Sequence, residues 1–173
     1  MRRSISVIYR SLSQLSIKKI LLVFQLGFSH PLFSLMGLWA TIKAFGIAEQ
    51  LFPKCSSTNG VGNAFRHALW TSLIMSYCCK ISSPEKSKKY CLEMTNLHEE
   101  LFPNAPLEKQ MDLHNNQIGI DLFFEMLPGI HRQFFETSFL VEKLLKKTET
   151  AVAVESSKDF MKNEMVYIKD DNH

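Results

Sequence analysis

Read as a pattern of apolar and polar positions, the chain falls into apolar blocks separated by proline, glycine and short polar runs. Residues 4–15 form a weak, partly polar helix, and residues 16–28 a strongly apolar one. Ser29 is placed to cap the next helix, with Pro31 in its first turn, where a missing N–H costs nothing. That helix runs to about Phe52, and Pro53 closes it. Residues 54–62 are a polar loop ending Asn59-Gly60-Val61-Gly62. From Ala68 to Cys79 there is no charged residue, and the block is apolar on nearly every helical face, which marks a helix buried on all sides. At roughly three turns it is too short to span a bilayer. Ser83-Pro84-Glu85 starts a helix reaching Phe102, with Tyr90, Met94, Leu97 and Leu101 as its buried stripe. After the break at residues 103–106, a helix over 107–127 buries Met111, Ile118, Leu122 and Met126. Pro128-Gly129 ends it, and residues 130–147 continue as a helix with Phe134, Phe135, Leu140 and Leu144. Beyond Thr148 the pattern weakens, and residues 165–168 read as a short strand or an extended cover. The expectation is all-α: a compact bundle of about six or seven helices around one central buried helix.

Composition narrows this picture. With 173 residues the chain is long enough to bury a core as a single domain. Its parts read as apolar N-terminal helices on or flanking the core (1–52), a motif-bearing helical core (53–148) and a weakly structured tail (149–173). Net charge is only +3, with Lys and Arg spread along the chain, so no nucleic-acid partner is expected. The four cysteines form no CxxC pair, and Cys78 and Cys79 are adjacent on a helix. They read as buried free thiols in a reducing, cytoplasmic compartment. Residues 20–42 carry no Asp, Glu, Lys or Arg, long enough to suggest a transmembrane helix. Ser29-His30-Pro31 interrupts that run, because Pro31 removes a helix hydrogen bond and restricts His30. Two shorter helices meeting there are expected instead. They either join the core or lie on a membrane with Arg2, Arg3, Arg10, Lys18 and Lys19 facing anionic lipid.

Candidate chemistry lies where three helices carry polar groups on their apolar faces. The central helix presents Asn63, Arg66 and His67 beside Trp70, on one face by their spacing. The next offers His98-Glu99. The third offers Asp112, Asn115, Asn116 and Gly119, with Asn115 on the apolar stripe and the others on a neighbouring line. His67, His98, Glu99 and Asp112 form a divalent-metal set by residue type, since imidazole with carboxylate suits zinc, iron or manganese. Alternatively His67 is a general base partnered by Asp112, with Glu99 as a further acid. Arg66, Asn63, Asn115 and Asn116 would then hold an anionic, phosphate-ester or lipid-like substrate. The third reading is a buried network that only ties helices together. Gly119 costs helix stability, which points to close approach of a backbone or ligand. His114 is expected at the surface, and His30 and His131 in turns.

These residues carry a resemblance. Asn63-Ala64-Phe65-Arg66-His67-Ala68-Leu69-Trp70, then His98-Glu99, then Met111 through Gly119 are similar to the signature of an uncharacterised bacterial domain family, N-A-x-R-H-A-x-W, H-E and M-D-x-x-N-N-x-x-G. The resemblance implies a shared site over the middle of the chain and no particular substrate. A fainter similarity is to the metal-dependent phosphohydrolases defined by His…His-Asp…Asp on helices. There Glu99 stands where Asp is expected, and Asp112 follows sooner than the last Asp of that pattern. Two functions stand side by side: a metal-assisted or acid–base hydrolase, and a non-catalytic helical module that binds a partner or membrane surface through its N-terminal helices.

Overall fold

The computed structural model describes residue 13 and residues 15–53 and 58–169. The helix expected over residues 4–15, the basic residues Arg2, Arg3 and Arg10, and Cys55 lie outside the described residues. Six α-helices are present among the described residues: α1 (Ile17–Ser29), α2 (Pro31–Leu51), α3 (Val61–Cys79), α4 (Pro84–Leu101), α5 (Pro106–Met126) and α6 (Thr137–Glu149). Two short strands follow, β1 (Val152–Ala153) and β2 (Val166–Tyr167), paired in parallel with Val152 opposite Val166.

Helix α3 is the axis. Sixteen of its 19 residues are buried, and α2, α4, α5, α6 and β2 all pack against it. Two of those contacts are close because small residues allow it. On α2 the inward face is Gly37, Ala40, Ala44 and Ala48. A Cβ at Gly37 would lie 2.6 Å from the Met94 sulfur and 2.8 Å from the Tyr90 hydroxyl, so glycine is what lets α2 reach α4. On α5, a Cβ at Gly119 would overlap the Ala68 carbonyl oxygen and the Thr71 hydroxyl of α3. Thr71 also donates to the Asn116 carbonyl at 2.8 Å, so these two helices meet backbone to backbone.

Helix starts follow the expected chemistry with one exception. Ser83 accepts from the Lys86 amide at 3.3 Å, with Pro84 first in α4. Ser29, by contrast, ends α1; His30 occupies the cap position before Pro31 and makes no side-chain capping bond. The expected helix over 130–147 is also divided. Arg132–Phe134 forms a single 3-10 turn and α6 begins only at Thr137, leaving Phe134 exposed while Phe135 enters the core beside Phe123. Adjacent aromatics on a helix point about 100° apart, whereas the bend at Phe135 inserts one ring and releases the other.

Past α6 the chain is anchored. Asn115 of α5 donates to the Val166 carbonyl at 2.8 Å and accepts from its N–H at 3.1 Å, both buried. His114 is half-buried rather than at the surface: its Nε2 meets the Glu164 carbonyl at 2.8 Å and its ring packs on Phe160. The Ile168 amide donates to the Asn59 carbonyl at 3.0 Å, which ties β2 to the loop feeding α3.

Candidate functional site

The first two turns of α3 carry Asn63, Arg66 and His67, and α5 brings Asp112 and Asn116 directly against them. His67 is buried, with Nδ1 3.2 Å from Asn116 Oδ1. An amide oxygen only accepts, so Nδ1 carries the proton and Nε2 of the neutral ring has the free lone pair. That Nε2 lies 3.2 Å from Arg66 Nη2 and 3.3 Å from Asp112 Oδ1. Asp112 accepts from Asn63 Nδ2 on Oδ1 and from Asn104 Nδ2 on Oδ2, each at 3.0 Å. Arg66 Nη2 donates to Asn63 Oδ1 as well, and the guanidinium lies 4.8 Å from the Phe45 ring centroid. Arg66, His67, Asp112, Asn63, Asn104 and Asn116 are therefore one hydrogen-bonded unit.

Burial disfavours charge throughout this unit. It pulls His67 well below the usual histidine range, and the neighbouring Arg66 and His98 add to the effect. Burial first, then Arg66, pushes His98 down to about 4. Asp112 is pushed up to about 6 by burial, despite Arg66 and the two amide donors acting the other way. Arg66 is lowered to about 10, again by burial, and remains protonated at neutral pH. Glu99 rises to about 7 through burial and then the nearby Asp112. It is 4% exposed, and neither of its carboxyl oxygens has a hydrogen-bond partner. Asn116 Nδ2 is likewise buried and unpartnered.

Two openings reach this unit. A cleft of about 50 Å³ between α2, α3 and α4 is lined by Thr41, Phe45, Arg66, His67, Trp70 and His98, among others. The Trp70 indole N–H donates to Thr41 at 2.9 Å and fixes one wall. A wider, open cavity of about 510 Å³ is lined by Lys19, Phe102 and Asn104, the last being the residue that holds Asp112 Oδ2. Asn104 is absent from the sequence-derived set. The signal was its place between Pro103 and Pro106, where the backbone is restricted just ahead of a helix start. Thr41 and Phe45 were also missed, because nothing local in α2 marks the face that meets α3.

Of the sequence-derived residues, the structure joins His67, Asp112, Asn63, Arg66 and Asn116 by hydrogen bonds, and sets the His98 ring edge-on to that of His67 at 6.0 Å in the wall of the same cleft. Asn115 is directed to β2 instead and takes no part in the site. The expected metal set of His67, His98, Glu99 and Asp112 does not assemble: among the described residues no group of three or more His, Cys, Asp or Glu is placed to hold a metal ion. The reason is helical geometry. His98 and Glu99 are consecutive, so they diverge by about 100°. His98 packs its ring on Trp70 and Phe102, while Glu99 turns toward α5. The buried Cys78 thiol is pushed up to about 12 by burial and then Cys79, which makes it unreactive.

No curated protein and no solved structure matches the chain. A family model described as Domain of unknown function (DUF6973) matches residues 24–152, a stretch that contains every residue of the site.

Proposed function

The chain belongs to the DUF6973 family, and from the geometry of its site we propose that it is an acid–base hydrolase of anionic esters, either phosphate esters or lipid-like ones. The observation that carries this reading is the buried His67–Asp112 contact beside Arg66 at the wall of a cleft. At 50 Å³ the cleft admits a reacting group and a water, so the body of the substrate stays outside, against α2 and α4. An anionic group at the mouth draws the Arg66 guanidinium away from His67 Nε2 and frees the lone pair. His67 then takes a proton from water as the water oxygen bonds to the ester phosphorus or acyl carbon. The bond to the leaving oxygen breaks with its electron pair, and that oxygen receives the proton back from His67. Asp112, ionised above pH 6, faces the imidazolium while it exists. Asn116 holds the ring so that Nε2 stays the reactive nitrogen. Carboxyl groups titrating near neutrality and unpartnered buried polar atoms together support a working site.

The test is turnover of chromogenic phosphate mono- and diesters and short-chain carboxylic esters by the purified full chain. General acid–base catalysis contributes about 10²–10⁴-fold, so His67→Gln should lose at least a hundredfold on the accepted ester. Equal rates for both proteins on every ester would sink the reading. A second reading, a non-catalytic module with a closed polar network, is favoured by one feature: both Asp112 oxygens are already bonded within the protein. On that reading the working surface is the outer side of α1 and α2.

A further inference from the structure

Helix α2 buries its small residues completely and leaves several large apolar ones outside. A helix on the surface of a soluble domain turns its large apolar residues inward. Here the fully buried residues are Gly37, Ala40, Ala44 and Ala48, and Phe33, Met36 and Ile47 are half-buried against the core, while Leu32 (63% exposed), Leu35 (64%), Leu38 and Trp39 face outward. Helix α1 has no buried residue at all, and Ile17, Leu21, Phe24 and Phe28 (81% exposed) recur along one side of it at helical spacing. Two adjoining helices thus present apolar residues to the outside as stripes at helical spacing rather than singly.

Charge says what covers them. Residues 1–48 contain six basic residues and no acid, a charge of +6; the remaining 14 basic residues are set against 17 acidic ones, a charge of −3. Among the described basic residues, Lys18 is exposed between Ile17 and Leu21, and Lys43 lies 5.7 Å from the Trp39 ring centroid. An exposed tryptophan beside a lysine suits the polar boundary of a bilayer. We propose that the outer face of α1 and α2 docks onto an anionic lipid bilayer, with both helices lying in the interface. This surface stands apart from the hydrolase reading and does not depend on it.

Docking fits better than crossing. Residues 31–51 are long and apolar enough to span a membrane, but their small-residue face is closed against α3, and Gly37 lies close against Met94 and Tyr90 of α4. The Lys19 ammonium donates to the Leu101 carbonyl, and His30 pairs with Glu93 at 3.2 Å, so both helices are tied to α4. A second copy fits poorly, because two acid-free segments of like charge would be brought together.

Flotation of the full chain with vesicles tests this, using phosphatidylcholine alone and with about a third phosphatidylglycerol. Binding to the anionic vesicles at low salt, at least tenfold tighter than to the neutral ones, is expected, with release by alkaline carbonate. The triple variant Leu21→Gln/Phe28→Gln/Leu35→Gln should lose at least tenfold in binding and keep its melting temperature, since all three side chains are outside the core. Lys18→Glu should lose about fivefold or more on anionic vesicles only. Three outcomes overturn the proposal: no flotation with anionic vesicles, carbonate-resistant insertion showing a spanning helix, or a dimer in light scattering that the triple variant abolishes.

Discussion

Glu99→Gln offers a quantitative check on the electrostatics of the site. Glu99 is buried without a hydrogen-bond partner, and its carboxyl is pushed from 4.5 to about 7. Between those values the folded chain holds a proton that the unfolded chain has released, so stability falls as pH rises through this window. The shift corresponds to about 3 kcal/mol, fully present below pH 4.5 and lost above pH 7. Wild type alone does not reveal it, because His98, lowered to about 4, acts in the opposite sense: its stability contribution is lost as pH falls from 6.5 to 4. The difference between wild type and Glu99→Gln removes the histidine contribution. Urea denaturation at half-unit steps from pH 4 to 8.5 should show the variant gaining about 3 kcal/mol on wild type across the range. At pH 8 that gain is worth about 6–12 °C in melting temperature, less a pH-independent cost for the unpartnered amide. A difference curve flat to within about 1 kcal/mol would refute the reasoning, since it would mean that Glu99 is solvated or paired.

Two further substitutions probe the frame that holds the site. Gly119→Ala forces a methyl group into the Ala68 carbonyl and Thr71 hydroxyl, so α3 and α5 must separate; a loss of about 3 kcal/mol or more in urea denaturation is expected, and a loss under about 1 kcal/mol would contradict the backbone contact. Asn115→Ala removes both buried bonds to Val166 and should cost about 2–3 kcal/mol, with limited proteolysis clipping the segment after α6 sooner than in wild type. Unchanged proteolysis would show that β2 is held by packing alone.

Much of this fold was legible because its punctuation is chemical. Pro31, Pro84 and Pro106 each stand at the start of a helix, and the charge-free block within α3 announces its own burial. The 3-10 turn before α6 was not legible, since Phe134, Phe135, Leu140 and Leu144 keep helical spacing and only tertiary packing decides which phenylalanine turns inward. In the site, the face shared by Asn63, Arg66 and His67 was readable from spacing, and so was the line of Asp112, Asn116 and Gly119. The divergence of His98 from Glu99 follows from adjacency, but which of them meets α5 depends on the roll of α4. The role of Asn115 required the position of β2, which lies 51 residues away.

Asp112→Asn separates site from scaffold most directly. Asp112 is raised to about 6 rather than lowered, so its surroundings oppose its charge on balance, and Arg66 keeps Asn63, His67 and the Phe45 ring when that charge is removed. For a working site holding crowded polar groups, the melting temperature of Asp112→Asn should stay within about 3 °C of wild type or rise, while ester turnover disappears. For a scaffold, the stranded buried cation costs about 3–5 kcal/mol, a fall of about 6–20 °C. Melting curves of the two proteins at pH 7.5 therefore decide the matter: an unchanged or higher midpoint is the predicted result, and a fall of that size would contradict the account.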